Sequence, residues 1–136
     1  MNIMNVGTTT FFAYSETAAL EDMTVANNGT WSTAYQIGKP DDPTWNFNDC
    51  NFELDVQRNR YDQVPLLSLS TGNGRIIVDD PIQRVLHFNV LAADIQSNLP
   101  PGIYVYDLVM IDVNGVRTPL MYGNVKVVQG VTYPPV

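Results

Sequence analysis

Along most of the chain, apolar side chains recur at every second position, the period that puts them on one face of an extended strand. From Thr30 to Ile37, Trp31, Thr33, Tyr35 and Ile37 alternate with Ser32, Ala34 and Gln36. From Cys50 to Gln57 the alternation is cleaner: Cys50, Phe52, Leu54 and Val56 against Asn51, Glu53, Asp55 and Gln57. This predicts a strand with one dry and one wet face, with the Cys50 thiol on the dry side. Leu86, Phe88 and Val90 alternate with Val85, His87 and Asn89, and Thr8 to Tyr14 reads as a first strand.

Turn-forming residues close each run. STGNG separates Pro65–Leu69 from Arg75–Val78, and its glycines predict a hairpin between them. In LAADIQSNL the period changes: Leu91, Ile95 and Leu99 recur every fourth residue, which predicts a short crossover helix ended by Pro100, Pro101 and Gly102. Ile103 to Ile111 is apolar on both faces apart from Asp107, so it is expected as a central strand covered on both sides. Asn114 and Gly115 then predict a type I′ turn into a return strand, Val116 to Val128, with a bulge or edge position near Pro119 and Gly123.

About eight short strands and one helix predict an all-β fold, an antiparallel β-sandwich of immunoglobulin-like or related type, with a small closed barrel as the alternative. The expected organisation is an N-terminal arm over residues 1–28 with one possible strand, a sandwich over 29–132 and a tail over 133–136.

Composition narrows the function. The 136 residues hold 14 acidic and 7 basic side chains, a net charge of -7. That excess speaks against a nucleic-acid surface, which needs clustered lysine and arginine to displace counterions. No stretch reaches the ~20 apolar residues that span a bilayer, and the opening residues lack a secretory signal pattern, so a chain made in the cytoplasm and not inserted in a membrane is expected. One cysteine forms neither an internal disulfide nor a cysteine metal site.

Residue types for catalysis are sparse. His87 is the only imidazole, flanked by Leu86 and Phe88, and is expected as a sheet-face residue bonded to a neighbour rather than a base. Cys50 is expected to be inert, because no nearby cation lowers its pKa. Asp41 with Asp42 and Asp79 with Asp80 sit beside prolines and lack the alternating oxygen ligands of a calcium loop, so they are expected as solvated turns. Phosphate, dinucleotide, zinc-protease and nucleophile-elbow motifs are all missing, so a non-enzyme with no catalytic residue, cofactor or metal is expected. Aromatics are the remaining signal. Trp45, Phe47, Tyr61, Tyr122 and Tyr133 are the candidate interface residues, with Trp31 also in surplus of an obvious core.

The segment LPPGIYVYDLVMIDVNGVRTPLMYGNVKVVQGVT, with the earlier PLLSLSTGNGRIIVDD, resembles a group of small tailed-phage virion proteins. The likeness spans roughly residues 46–132. Its most specific part runs from Pro101 to Val127, where Gly102, Tyr104, Tyr106, Asp107, Gly115 and Gly123 fall in the order of the pattern. Similar β-sandwich modules lie at the N-terminus of phage baseplate and receptor-binding subunits. The resemblance implies a bacteriophage virion structural protein of the tail, baseplate or capsid surface, made in the host cytoplasm and partnered by other virion proteins and copies of itself. No coiled coil or receptor-binding domain follows the sandwich before Val136, which suggests a ring or decoration subunit beside the fibre-anchor role. The competing expectation is a carbohydrate- or host-receptor-binding module that stacks sugars on Trp45, Phe47 and Tyr61.

Overall fold

The computed structural model describes residues 9–13, 18–39, 42 and 44–132, with the backbone alone for 9–13. The strands are β1 Thr9–Ala13, β2 Ala19–Leu20, β3 Met23–Ala26, β4 Trp31–Gly38, β5 Asn51–Gln57, β6 Leu67–Ser70, β7 Ile76–Asp80, β8 Val85–Val90, β9 Gly102–Ile111 and β10 Arg117–Val128, with the helix α1 Ala92–Asn98 between β8 and β9. They form a four-stranded sheet in the order β1-β4-β8-β7 and a six-stranded sheet in the order β2-β10-β9-β5-β6, with β3 also pairing β10. The fold is an all-β sandwich. With β1 to β3 set aside, β4-β8-β7 against β10-β9-β5-β6 follows the immunoglobulin order B-E-D against G-F-C, with one added strand beside C.

The alternating faces meet in the middle. Phe52, Leu54 and Val56 of β5 and Leu108 of β9 are fully buried, as are Leu86, Phe88 and Val90 of β8 from the other side. The Phe88 ring packs edge-on to Trp31 at 6.1 Å and against Tyr35 at 5.7 Å. The Trp31 indole N–H is buried without a hydrogen-bond partner among the described residues. At the start of β9 the Tyr104 hydroxyl donates to the carbonyl of Pro100, the tyrosine corner of this architecture. Two residues on, where an immunoglobulin domain carries its second disulfide cysteine, stands the buried Tyr106. Burial pushes the phenols of Tyr106 and of Tyr35 on β4 far above their ordinary range. The Tyr106 hydroxyl donates to the Glu21 carbonyl, so this position ties β9 to the β2–β3 segment where related domains use a disulfide.

Several expectations are corrected. The STGNG segment is a crossing between sheets and not a hairpin, because β6 pairs β5 while β7 pairs β8. Side chains take over the hydrogen bonds that a hairpin ladder would have made. Asn73 Oδ1 accepts from the Ser70 and Arg75 amides, and Asn73 Nδ2 and Arg75 Nη1 both donate to the Ser68 carbonyl, each at 3.0 Å. The Asn114–Gly115 turn is not type I′, since Gly115 has φ 82° while Asn114 is not left-handed. The Gly115 amide bonds the Asp112 carbonyl at 2.9 Å, giving a type I turn followed by a left-handed glycine.

Not every pair is antiparallel. β1 runs parallel to β4, and β2 and β3 run parallel to β10. A parallel pair needs a long crossover, and the chain between β1 and β4 supplies it by crossing to the other sheet as β2 and β3. Met23 and Val25 are buried there, so the later part of the expected arm belongs to the sandwich. Gly123 faces this crossing, and a Cβ on it would lie 2.5 Å from the Glu21 carbonyl oxygen. The bulge in β10 falls between Pro119 and Met121. Ile95 of α1 and Leu99 just after it are buried as the spacing predicts, whereas Leu91 just before it is 60% exposed.

Candidate functional site

The outer face of the four-stranded sheet gathers the residues with catalytic names. Ser32 on β4 and His87 on β8 are diagonal neighbours in the ladder, and Ser32 Oγ lies 2.8 Å from His87 Nε2. Asp79 of β7 places Oδ2 3.8 Å from His87 Nδ1. His87 is thus a sheet-face residue bonded to a neighbour, as its place between Leu86 and Phe88 predicted, and the structure adds which neighbour. The set Ser32–His87–Asp79 was hidden because it joins three strands whose pairing cannot be read from alternation. A working triad also needs a hydrogen bond from the carboxylate to the imidazole, oxyanion donors and a recess for substrate. The 3.8 Å separation is too long for that bond. Ser32 itself is exposed on an open sheet.

The other titratable groups serve local structure. Cys50 is half-buried and packs against the core, its Sγ 3.6 Å from the Asn48 carbonyl. Burial pushes its thiol up, and Asp112 and Asp49 add to the effect. Asp80 Oδ1 accepts from the amides of Ile82 and Gln83 at 3.1 and 3.0 Å, which locks the β7–β8 turn. Asp42 accepts from the Thr44 hydroxyl at 2.7 Å and the Thr44 amide at 3.1 Å, bonds that hold its carboxyl below the usual range. Asp41 lies outside the described residues.

The candidate interface aromatics separate. Phe47 is 1% exposed, with its ring 4.8 Å from that of Phe52, so it offers no surface to a partner. The cause is local: Phe47 N donates to the Pro81 carbonyl, while Arg84 bonds the carbonyls of Ile37 and Trp45 and draws the 45–50 loop over the end of the core. Trp45 is half-buried, edge-on to Phe47 at 5.4 Å with Lys39 5.8 Å above its ring. Trp31 is a core residue. Tyr61 is 90% exposed. Tyr122 is half-buried, with the Arg60 guanidinium 5.7 Å over its ring. Tyr133 lies outside the described residues. With Phe47 inside, Trp45, Phe47 and Tyr61 do not present three rings for sugar stacking.

The outer face of the six-stranded sheet is different in kind. The register lines up Leu20, Tyr122, Asp107, Asp55 and Ser68 in one row across five strands. Asp107 and Asp55 stand directly opposite each other. Asp55 Oδ1 accepts from the Ser68 hydroxyl at 2.7 Å, while the Asp107 carboxylate makes no hydrogen bond or ion pair among the described residues. Partial burial and the Asp55 charge push the Asp107 carboxyl up, and the Arg117 and Arg60 charges oppose them. Along β9 the same face carries Ile103, Val105, Val109 and Ile111, of which Ile103 is 64% exposed. The expected second cover over β9 is therefore not supplied by the described residues. A cavity of about 390 Å³ opens there, lined by Asp55, Arg60, Val105, Asp107 and Tyr122 among others.

No protein-family profile matches the chain, and no curated protein matches it. Among solved structures it is similar to the cysteine protease inhibitor EhICP2 from Entamoeba histolytica, at 8% identity and a TM-score of 0.42, over 88% of this chain and 97% of that one. It is also similar to the extracellular domains 3–5 of Drosophila OTK, at 12% identity and a TM-score of 0.34, over 82% of this chain and 34% of that one. Likeness at this level carries no argument about function.

Proposed function

We propose that this chain is a non-enzymatic structural subunit of a tailed-phage virion, in the tail or baseplate or on the capsid surface. It docks on other virion proteins and on copies of itself, without cofactor, nucleic acid or membrane. The observation that supports this reading is the apolar stripe left open on β9, the middle strand of the six-stranded sheet. Scattered apolar residues on a surface are ordinary, but Ile103, Val105, Val109 and Ile111 share one face of a central strand, exposed or half-buried on either side of Asp107, and such clustering marks a contact surface. The segment that resembles phage virion proteins, Pro101 to Val127, contains nearly all of β9 and β10 and so builds this face. Many symmetric copies turn modest contacts of this kind into a stable assembly.

A density map of purified particles tests the reading. The expected result is a ring or array of these sandwiches in the tail or on the capsid, with the six-stranded sheet against a neighbouring protein. Absence of the chain from mature particles, or hydrolytic turnover by the purified chain that is lost with His87→Ala, would overturn it.

A further inference from the structure

We propose that the outer face of the six-stranded sheet receives a partner protein which inserts a lysine or arginine side chain between Asp55 and Asp107, surrounded by apolar contact with β9. This rests on the assembly reading above and names the chemistry of the partner.

Charge pairing on this face is incomplete in one place. Glu53 and Arg117 bridge each other at 3.0 Å. Arg60, which lies over Tyr122, lines the cavity together with Asp62. Lys126 stands opposite Ile103, four residues along β9 from Asp107. Asp55 and Asp107 stand in direct register in this cavity, Asp55 accepting from the Ser68 hydroxyl, while Arg60 and Arg117 act on Asp107 without forming an ion pair with it among the described residues. Like charges opposite one another weaken a sheet. The arrangement therefore works against the free chain, and a cation between the two carboxylates would convert the repulsion into two charge-assisted hydrogen bonds.

Charge also selects among occupants. A second copy laid face to face about a twofold axis at Asp107 would bring four carboxylates together, so that pairing of copies is disfavoured. A wholly apolar partner would bury both carboxylates unpaired. A basic side chain on an apolar surface satisfies both the acidic pair and Ile103, Val105 and Val109, and the net charge of -7 steers such a partner toward the chain.

The test uses the full chain. Ethylguanidinium chloride is titrated into it with amide shifts followed by NMR, and sodium chloride at equal ionic strength serves as the control. Saturable shifts centred on Asp55, Val105 and Asp107, lost in Asp107→Asn, are expected; shifts no larger than those from sodium chloride, or unchanged in the variant, would overturn the proposal. In particles assembled with Asp107→Lys, occupancy by the chain should fall by about tenfold or more, since a cation would then meet a cation. Melting curves of the purified variants verify that they fold. Full occupancy by Asp107→Lys overturns this inference and leaves the assembly reading standing. Absence of the wild-type chain from particles overturns the assembly reading, while the titration still decides the site.

Discussion

On the outer face of the four-stranded sheet, Ser32, His87 and Asp79 approach one another across three strands, with Ser32 and His87 in hydrogen-bond contact and Asp79 3.8 Å away. On the outer face of the six-stranded sheet, Asp55 and Asp107 stand in direct register beside an exposed Ile103 and the half-buried Val105, Val109 and Ile111 of β9. Both faces are built from the solvent-side positions of alternating strands. A constellation with catalytic residue names turns out to lack the contacts of a triad, whereas the face without such names sets two carboxylates in register beside apolar side chains, and that face is the better pointer to a partner. Residue identity alone would have ranked the two the other way.

The comparison is meaningful only if the two inner faces are equivalent. Phe88→Ala beneath the His87 face and Leu108→Ala beneath the Asp107 face both remove fully buried side chains. We expect losses of about 3–5 and about 2–5 kcal/mol, respectively, read as shifts in the denaturant midpoint at unchanged slope. A loss under 1 kcal/mol at either site would show that its sheet is not packed as described.

Alternation was enough to place β4, β5 and β8 and to sort their inward from their outward residues, because a period of two is a local property of each strand. The spacing of Ile95 and Leu99 identified α1 for the same reason. Which strands pair is not local. The Asn73 side chain turns STGNG from a hairpin into a sheet crossing, and the parallel pairing of β3 with β10 joins residues about a hundred positions apart. The Ser32–His87 contact depends on β4 lying beside β8, and the Asp55–Asp107 opposition on β9 lying beside β5. Aromatic content likewise did not reveal that Arg84 pulls the 45–50 loop inward and buries Phe47. Asp107 was visible in the sequence as the one polar residue on its strand face, but its partner was not.

Asp107→Asn sharpens the contrast at an intermediate scale. Removing one charge of an opposed pair should stabilise the free chain by about 0.2–1 kcal/mol at neutral pH and low salt, with less gain as salt screens the pair. The pH dependence has a definite sign. Because the Asp107 pKa is raised in the folded chain, the folded state holds more protons than the unfolded one between the ordinary carboxylate value and the raised one. Stability from this group therefore grows as pH falls through that window and is lost as pH rises through it. Asp42, whose pKa is lowered, works in the opposite direction. The difference between wild type and Asp107→Asn cancels Asp42 and isolates the pair. A variant no more stable than wild type at pH 7, with parallel pH profiles, would show that the two carboxylates do not interact. A variant more stable yet poorer at docking is the signature of a surface held for a partner.

Ser32→Ala should have an effect of similar size and opposite sign. It removes the Ser32 contact at 2.8 Å and leaves His87 on a partly hydrated face, where water can replace the lost partner. The expected cost is about 0.5–1 kcal/mol, at the low end for a hydrogen bond. His87→Ala should match it within a few tenths of a kcal/mol, because the Asp79 contact at 3.8 Å is screened and contributes little. A double variant that costs no more than either single one would locate the whole effect in that bond. Both single variants should also leave particle assembly unchanged, whereas Asp107→Lys should not. If Ser32→Ala disrupted assembly as strongly as Asp107→Lys, the face of the four-stranded sheet would be a contact surface too, and the distinction between the two sides of the sandwich would fail.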